Sequence, residues 1–229
     1  MSGVHRTVSL TRRQTTLGWL YLPLYLCGWA LILQALEAAG IPELDGVTRN
    51  SVYYALNLLF TLIVFGPWLV KSLRRLTKKF WLCLQTLVLA LAACYAGMWL
   101  VGRLLPGVVV FNNDTVTDYY YRSPAVMILC SVILAPLVEE TLLRGVVFGS
   151  LRQWSRIAAY GVSVILFAFV HVWQYAGGAE PAALLSAAAI YVPAALALAW
   201  SYDKSGTIWV PILAHAVVNA VSFGILTLS

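Results

Sequence analysis

The sequence predicts an all-α fold: a polytopic membrane bundle of about seven transmembrane helices, with a functional site inside the bundle. Three observations carry that reading. Of the 229 residues, 61% are apolar and only 10% charged, where a soluble chain carries about 25% charged residues. Mean hydropathy is +0.83. A water-soluble globule of this size has too few charges to cover its surface, and the apolar content excludes a disordered chain. Finally, the apolar residues fall into runs of about 20, enough to cross a hydrocarbon core as helices. No internal repeat, linker or second domain interrupts them, so residues 1–229 read as one integral-membrane domain.

The runs extend from Leu17 to Leu36, Val52 to Val70, Phe80 to Leu105, Ala125 to Leu151, Ile157 to Tyr175, Pro181 to Tyr202 and Thr207 to Leu228. The first follows Arg12-Arg13, but its apolar region is too long for a cleaved signal, and a retained helix is expected. Arg6, Arg12 and Arg13 precede it, whereas Glu43, Asp45 and a single Arg49 follow it. Lys71, Arg74, Arg75, Lys78 and Lys79 then separate runs two and three. Asp114, Asp118 and Tyr119-Tyr120-Tyr121 occupy the next connection, Pro106 to Ser123, which reads as a loop with an interfacial aromatic belt. Arg152, Arg156 and Lys204 return to the basic side. By the positive-inside rule the N-terminus is cytoplasmic and the C-terminus external, in a multi-pass protein of the cell membrane. The net charge of +6 therefore points to orientation and anionic lipid, and no nucleic-acid partner is expected. Cys27, Cys83, Cys94 and Cys130 lie inside apolar runs without a CxxC spacing and read as small buried hydrophobes.

Ionisable groups deep in a bilayer cost about 2.5–3.5 kcal/mol each and need a reason to be there. Glu139, Glu140, Arg144, His171 and His215 are in that position. Glu140 and Arg144 are four apart on a helix, share a face and can form an ion pair. Glu139 points about 100° away and is free to face a cavity. A desolvated carboxylate beside a second acid holds its proton more tightly, which suits a proton-transferring group. Pro136, three residues upstream, is placed to kink or open the helix. His171 follows Phe167 by four residues, and Asn219 follows His215 by four. At ~1.5 Å per residue from the basic ends, Glu139 lies about 18 Å deep, His171 about 21 Å, His215 about 12 Å and Asn219 about 18 Å. Three helices thus bring polar groups to one level. Trp173 and Gln174, next to His171, are placed to line a substrate path, and Gly145-x-x-x-Gly149 to permit close helix packing.

A carboxylate and a neutral imidazole can hold a water and take its proton as it attacks a carbonyl. A second His and an Asn can donate to the developing oxyanion. Two histidines and a glutamate can also ligate zinc. HExxH is absent and the three donors come from separate helices, so no cofactor is expected, although zinc is not excluded. Ser131 and Cys130 have no identifiable base to make either a nucleophile.

EETLLR, FAFVH and HAVVN resemble the EExxxR, FxxxH and HxxxN/D motifs of the CAAX prenyl endopeptidase and bacteriocin-processing family, glutamate-dependent intramembrane proteases related to the type II CAAX endopeptidases. The resemblance covers a core of about residues 123–220. It implies that Glu139 activates water with His171, that His215 and Asn219 form the oxyanion hole, and that Glu140, Arg144 and Phe167 support them. The implied activity is intramembrane hydrolysis of a peptide bond in a membrane-associated or lipid-modified peptide, with the bilayer as the other partner and the oligomeric state open. Two other classes compete: a non-catalytic scaffold or bacteriocin-immunity protein that binds a membrane partner, and a proton-coupled transporter. The absence of repeat-related halves weighs against the last.

Overall fold

A computed structural model describes residues 7–108 and 110–226. Arg6 and Leu228, named above at the two ends, lie outside the described residues. Among the described residues, eight helices follow one another: α1 Arg12–Ala38, α2 Gly46–Lys78, α3 Phe80–Leu104, α4 Phe111–Arg122, α5 Pro124–Leu151, α6 Arg156–Tyr175, α7 Pro181–Ser205 and α8 Trp209–Leu226. Over the described residues, each of the seven apolar runs forms a helix along most of its length. Six are long and apolar enough to cross a membrane, and the apolar part of the seventh, Trp209–Gly224, is shorter. The chain is a multi-pass membrane protein.

Local chemistry sets the helix ends. Thr11 and Gln14 form a reciprocal capping box that starts α1. The Asp45 carboxylate accepts the Val47 and Thr48 N–H groups at the start of α2. The Thr48 hydroxyl and amide, which favour its charged form, hold the Asp45 carboxyl below the usual range. Ser155 caps α6 through Ala158 N–H, and Pro124 and Pro181 sit in first turns, where a missing N–H costs nothing. Gly206, at φ 70°, ends α7 in the left-handed region.

Between Pro106 and Ser123, where sequence suggested a loop, the chain forms α4. Asn112, Asn113, Asp114 and several β-branched residues have weak helix propensity, so the segment carries no strong helical signal of its own. Its last turn is braced by the Arg122–Asp118 ion pair at 3.0 Å.

α5 is the central helix: 56% of its most apolar window is buried, against 28% or less in the other five long helices. Leu142, Leu143, Val146 and Phe148 of α5 are fully covered by Phe65 and Trp68 of α2, Phe167 of α6 and Tyr202 of α7. Leu20, Ile63, Trp81, Leu89 and Leu185 stay exposed on the outer helices, as lipid contact requires.

The basic end is closed by hydrogen bonds. Val8 N–H donates to Gly206 O (3.1 Å), Trp68 Nε1 to Val8 O (2.7 Å) and Trp209 Nε1 to Leu69 O (2.9 Å). Ser72 Oγ accepts Ile208 N–H and pairs with Thr207, while Arg75 Nε reaches Ser205 O. Asp203 bridges Arg152 and Arg156.

Close approach of α1 to α5 depends on Gly18. A Cβ there would meet both methyls of Val146, one of them at 2.9 Å. Gly145 likewise lets Trp68 pack on α5, with only 2.9 Å available for a Cβ. Gly18→Ala is expected to lower stability by about 1–3 kcal/mol through overpacking, read as earlier thermal loss of folded protein in detergent with α-helical content unchanged at low temperature.

Candidate active site

The bundle is hollow on one side of this core. A cavity of about 530 Å³ is lined by Glu139, Phe167, His171, His215 and Asn219, together with Tyr54, Ser131 and Tyr191. Five sequence-predicted site residues therefore meet at one space. Glu140 and Arg144 lie behind its wall with no exposed surface.

Those two are an ion pair, as the i,i+4 spacing predicts: Arg144 Nη1 lies 3.0 Å from Glu140 Oε1. Arg144 Nη2 also donates to Ala195 O at 3.1 Å, tying α5 to α7, and the guanidinium lies 4.6 Å from the Phe167 ring centroid. The sequence did not reveal a third partner: His215 Nδ1 is 2.8 Å from the same Glu140 oxygen. Glu140 thus anchors the α8 histidine as well as Arg144.

The two histidines are held in different ways. His171 Nδ1 sits 2.7 Å from the Phe167 carbonyl. A carbonyl only accepts, so Nδ1 carries the hydrogen, and Nε2 of the neutral ring has a free lone pair. His215 Nδ1 faces a carboxylate, which accepts, so Nδ1 carries a hydrogen and the ring is held against Glu140. Phe167 contacts both rings at a tilt, with centroids 4.7 Å from His171 and 5.6 Å from His215, and the Tyr191 ring centroid lies 4.3 Å from that of His171.

Glu139 Oε1 accepts the Tyr54 hydroxyl at 3.3 Å, and its Oε2 has no protein partner. Tyr54, on α2, lies outside every motif. Nothing in the sequence marks it beyond an aromatic pair in an apolar run.

Asn219 Nδ2 donates to Ser131 O at 2.8 Å. That carbonyl is free for a local reason. Residues 129–134 are wound in wide i→i−5 turns, in which Ala135 N–H bonds Cys130 O. The next donor in that register belongs to residue 136, and Pro136 has no N–H. The exposed Ser131 carbonyl orients the Asn219 amide, whose second N–H remains available. A second wide segment, Thr141–Phe148, follows the glutamates and carries Arg144.

Trp173 and Gln174 also line the cavity. Cys27 does too and is only half-buried, unlike Cys83, Cys94 and Cys130; all four are free thiols. Among the described residues, no group of three or more His, Cys, Asp or Glu side chains gathers closely enough to hold a metal ion.

Residues 121–221 match the family model described as type II CAAX prenyl endopeptidase Rce1-like, a stretch that contains all three motifs. Over 109 residues the chain is 29% identical to "Putative membrane peptidase YdiL" of Bacillus subtilis (strain 168), which covers 47% of this chain and 40% of that protein. The chain thus spans less than half the length of that relative. No solved structure matches.

Removing one member of the Glu140–Arg144 pair leaves a bare buried charge. Arg144→Ala is expected to cost about 3–5 kcal/mol, seen as a sharp fall in folded protein accumulating in the membrane. A variant that accumulates normally would show that the pair is not needed for folding.

Proposed function

We propose that this protein is an intramembrane peptidase that hydrolyses a peptide bond of a membrane-associated or lipid-modified peptide by direct attack of water. One observation carries the reading: the His171 hydrogen bond that fixes its tautomer leaves a basic nitrogen on the cavity that also holds the unpartnered oxygen of Glu139. The similarity of residues 121–221 to an endopeptidase family supports it.

The steps follow from the donors and acceptors. Water sits between Glu139 and His171 Nε2 and attacks the carbonyl carbon while its proton passes to Glu139. The carbonyl oxygen becomes an oxyanion, held by His215 and by the second N–H of Asn219. Collapse of the tetrahedral intermediate breaks the C–N bond, and the proton taken from water passes to the leaving nitrogen. The products are a new carboxylate and a new amine. Glu140 anchors the His215 ring, and Arg144 holds Glu140 in place. Tyr54 fixes one oxygen of Glu139 and so leaves the other directed at water. No residue forms a covalent intermediate, and no step passes through a metal.

Peptide termini in membranes provide the test. Glu139→Gln and His171→Ala are each expected to lower cleavage by at least about 100-fold, at membrane abundance matching wild type. Identical termini with wild type and Glu139→Gln would replace the peptidase reading with a scaffold that binds a membrane partner. Tyr54→Phe removes a hydrogen bond to a charged group, worth about 1.5–3 kcal/mol. It should lower kcat about tenfold or more with KM nearly unchanged. Chelators should leave cleavage intact, and loss that zinc restores would overturn the metal-free mechanism.

A further inference from the structure

We propose that Tyr53 is a positioning residue of the cavity: its hydroxyl pins a widened turn of α1, and the wall so presented selects the side chains that flank the cut bond. The selecting role rests on the peptidase reading; the pinned turn rests on geometry alone.

The turn begins at a proline. Pro23 lies inside α1 and brings no N–H. Residues Leu24–Gly28 then wind in wide i→i−5 turns, with Trp29 N–H on Leu24 O. Ordinary i→i−4 winding returns over Trp29–Ala38. In that register the next donor, Ala30, reaches past residue 25 to residue 26, so the Tyr25 carbonyl is passed over. A carbonyl left over inside an apolar bundle needs a donor. Tyr53 of α2 supplies it, its hydroxyl donating to Tyr25 O at 2.8 Å.

Further bonds bracket the same turn. Tyr21 OH donates to Asn57 Oδ1 at 2.9 Å and accepts Trp29 Nε1–H at 3.1 Å. Asn57, which has no exposed surface, donates through Nδ2 to Tyr53 O at 2.7 Å. Tyr21 precedes the wide turn and Trp29 follows it, so α2 holds the turn at both ends as well as at its middle. α1 is seated on α5 separately, where Gly18 meets Val146. Loss of the Tyr53 hydroxyl therefore leaves the helix in place and frees only the turn.

What the turn presents is cavity wall. Tyr25, Leu26 and Cys27 of the turn, with Ala30 and Leu33 after it, line the space that holds Glu139 and His171. Glu139, the two histidines and Asn219 come from α5, α6 and α8, so α1 brings surface rather than acid–base chemistry. None of its five wall residues carries a formal charge, and such a wall suits uncharged, apolar side chains. Ala30, the smallest of the five, leaves room for a bulky one. Tyr53 also meets the Tyr54 ring edge-on, with centroids 5.1 Å apart, and Tyr54 holds Glu139. The same residue thus sets the α1 wall and borders the carboxylate that activates water.

The test uses a thiol already in place. Cys27 lies on the turn, its Sγ 3.6 Å from Pro23 O, and is half-buried, whereas Cys83, Cys94 and Cys130 are buried. N-ethylmaleimide is applied to the full chain in detergent, with Cys27→Ser as the blank. Tyr53→Phe keeps the ring and removes the bond. Loss of one hydrogen bond should raise the Cys27 labelling rate about 2- to 10-fold. An unchanged rate would overturn the pinned turn. Ala30→Leu tests the selecting role through peptide termini in membranes. Termini with the bulkiest residues beside the cut should fall about tenfold or more relative to those with small ones, and Tyr53→Phe should alter the same preference. Termini of unchanged composition in both variants would overturn the selecting role. Ala30→Val replaces Ala30→Leu if that variant does not accumulate. Labelling needs no turnover, so the pinned turn and the peptidase reading fail separately.

Discussion

Glu140 and Arg144 have no exposed surface in a chain whose surroundings are lipid and packed side chains. Neither charge is tolerable there without the other, because the desolvation of each is several kcal/mol and only close, well-oriented partners offset it. Glu140 meets that demand through two donors, Arg144 Nη1 and His215 Nδ1, on a single oxygen. Arg144 meets it through Glu140, the Ala195 carbonyl and the face of Phe167. The consequence is geometric. A charge on α5 fixes α7 through a backbone oxygen and α8 through an imidazole. It also fixes α6, which carries His171, through an aromatic ring. The cluster that makes the bundle's core electrically acceptable also sets the spacing of the cavity wall.

The molecule divides along its helix axes into a closed half and a hollow one. Near the basic end, apolar packing and a run of side chain-to-backbone bonds leave little room for movement. Near the acidic end, the same helices separate around a space whose polar atoms are only partly satisfied. Buried polar groups are normally paired, yet Glu139 and Glu140 each keep Oε2 without a hydrogen-bond partner; Glu140 is fixed through its other oxygen by Arg144 and His215, whereas Glu139 lies on the cavity. Placing the unsatisfied group over a rigid floor lets strain and desolvation at the site be carried by packing elsewhere. It also explains why two adjacent glutamates differ in role. A turn of about 100° between successive helical residues sends one into the packed floor and the other into the cavity.

Much of this was legible in the sequence, for physical reasons that can be named. Apolar runs of the right length give the seven helices directly. Intramembrane charge is rare enough that Glu139, Glu140, Arg144, His171 and His215 mark themselves, and the i,i+4 rule pairs Glu140 with Arg144 before any coordinates. Depth from the basic ends brings Glu139, His171 and Asn219 close to one level. What stayed hidden were contacts between helices whose rotation the sequence does not state. Tyr54 is one aromatic among many in an apolar run, and only the facing of α2 toward α5 makes it a partner of Glu139. The His215–Glu140 bond links residues 75 apart. Helix α4 was missed because its residues have weak intrinsic preference, and its contacts with the bundle rather than its own propensity hold it.

Pro136 shows how a residue with no chemistry of its own shapes a site. In a regular helix a proline removes one hydrogen bond and pushes the chain aside. Here the preceding turns are already wide, so the carbonyl it leaves unpaired is that of Ser131, on the wall of the cavity rather than toward lipid. An unpaired carbonyl in a bilayer needs a donor, and Asn219 supplies it at 2.8 Å. The amide is then fixed in rotation, because its Nδ2 must point at Ser131. Its oxygen is directed elsewhere by the planarity of the group, and its second N–H takes a defined direction. An asparagine without that anchor would be free to turn either its oxygen or its nitrogen to a developing oxyanion, and the oxygen would repel it. The backbone defect of α5 therefore settles a donor on α8, and the polarity of that side of the cavity follows from a missing hydrogen on another helix.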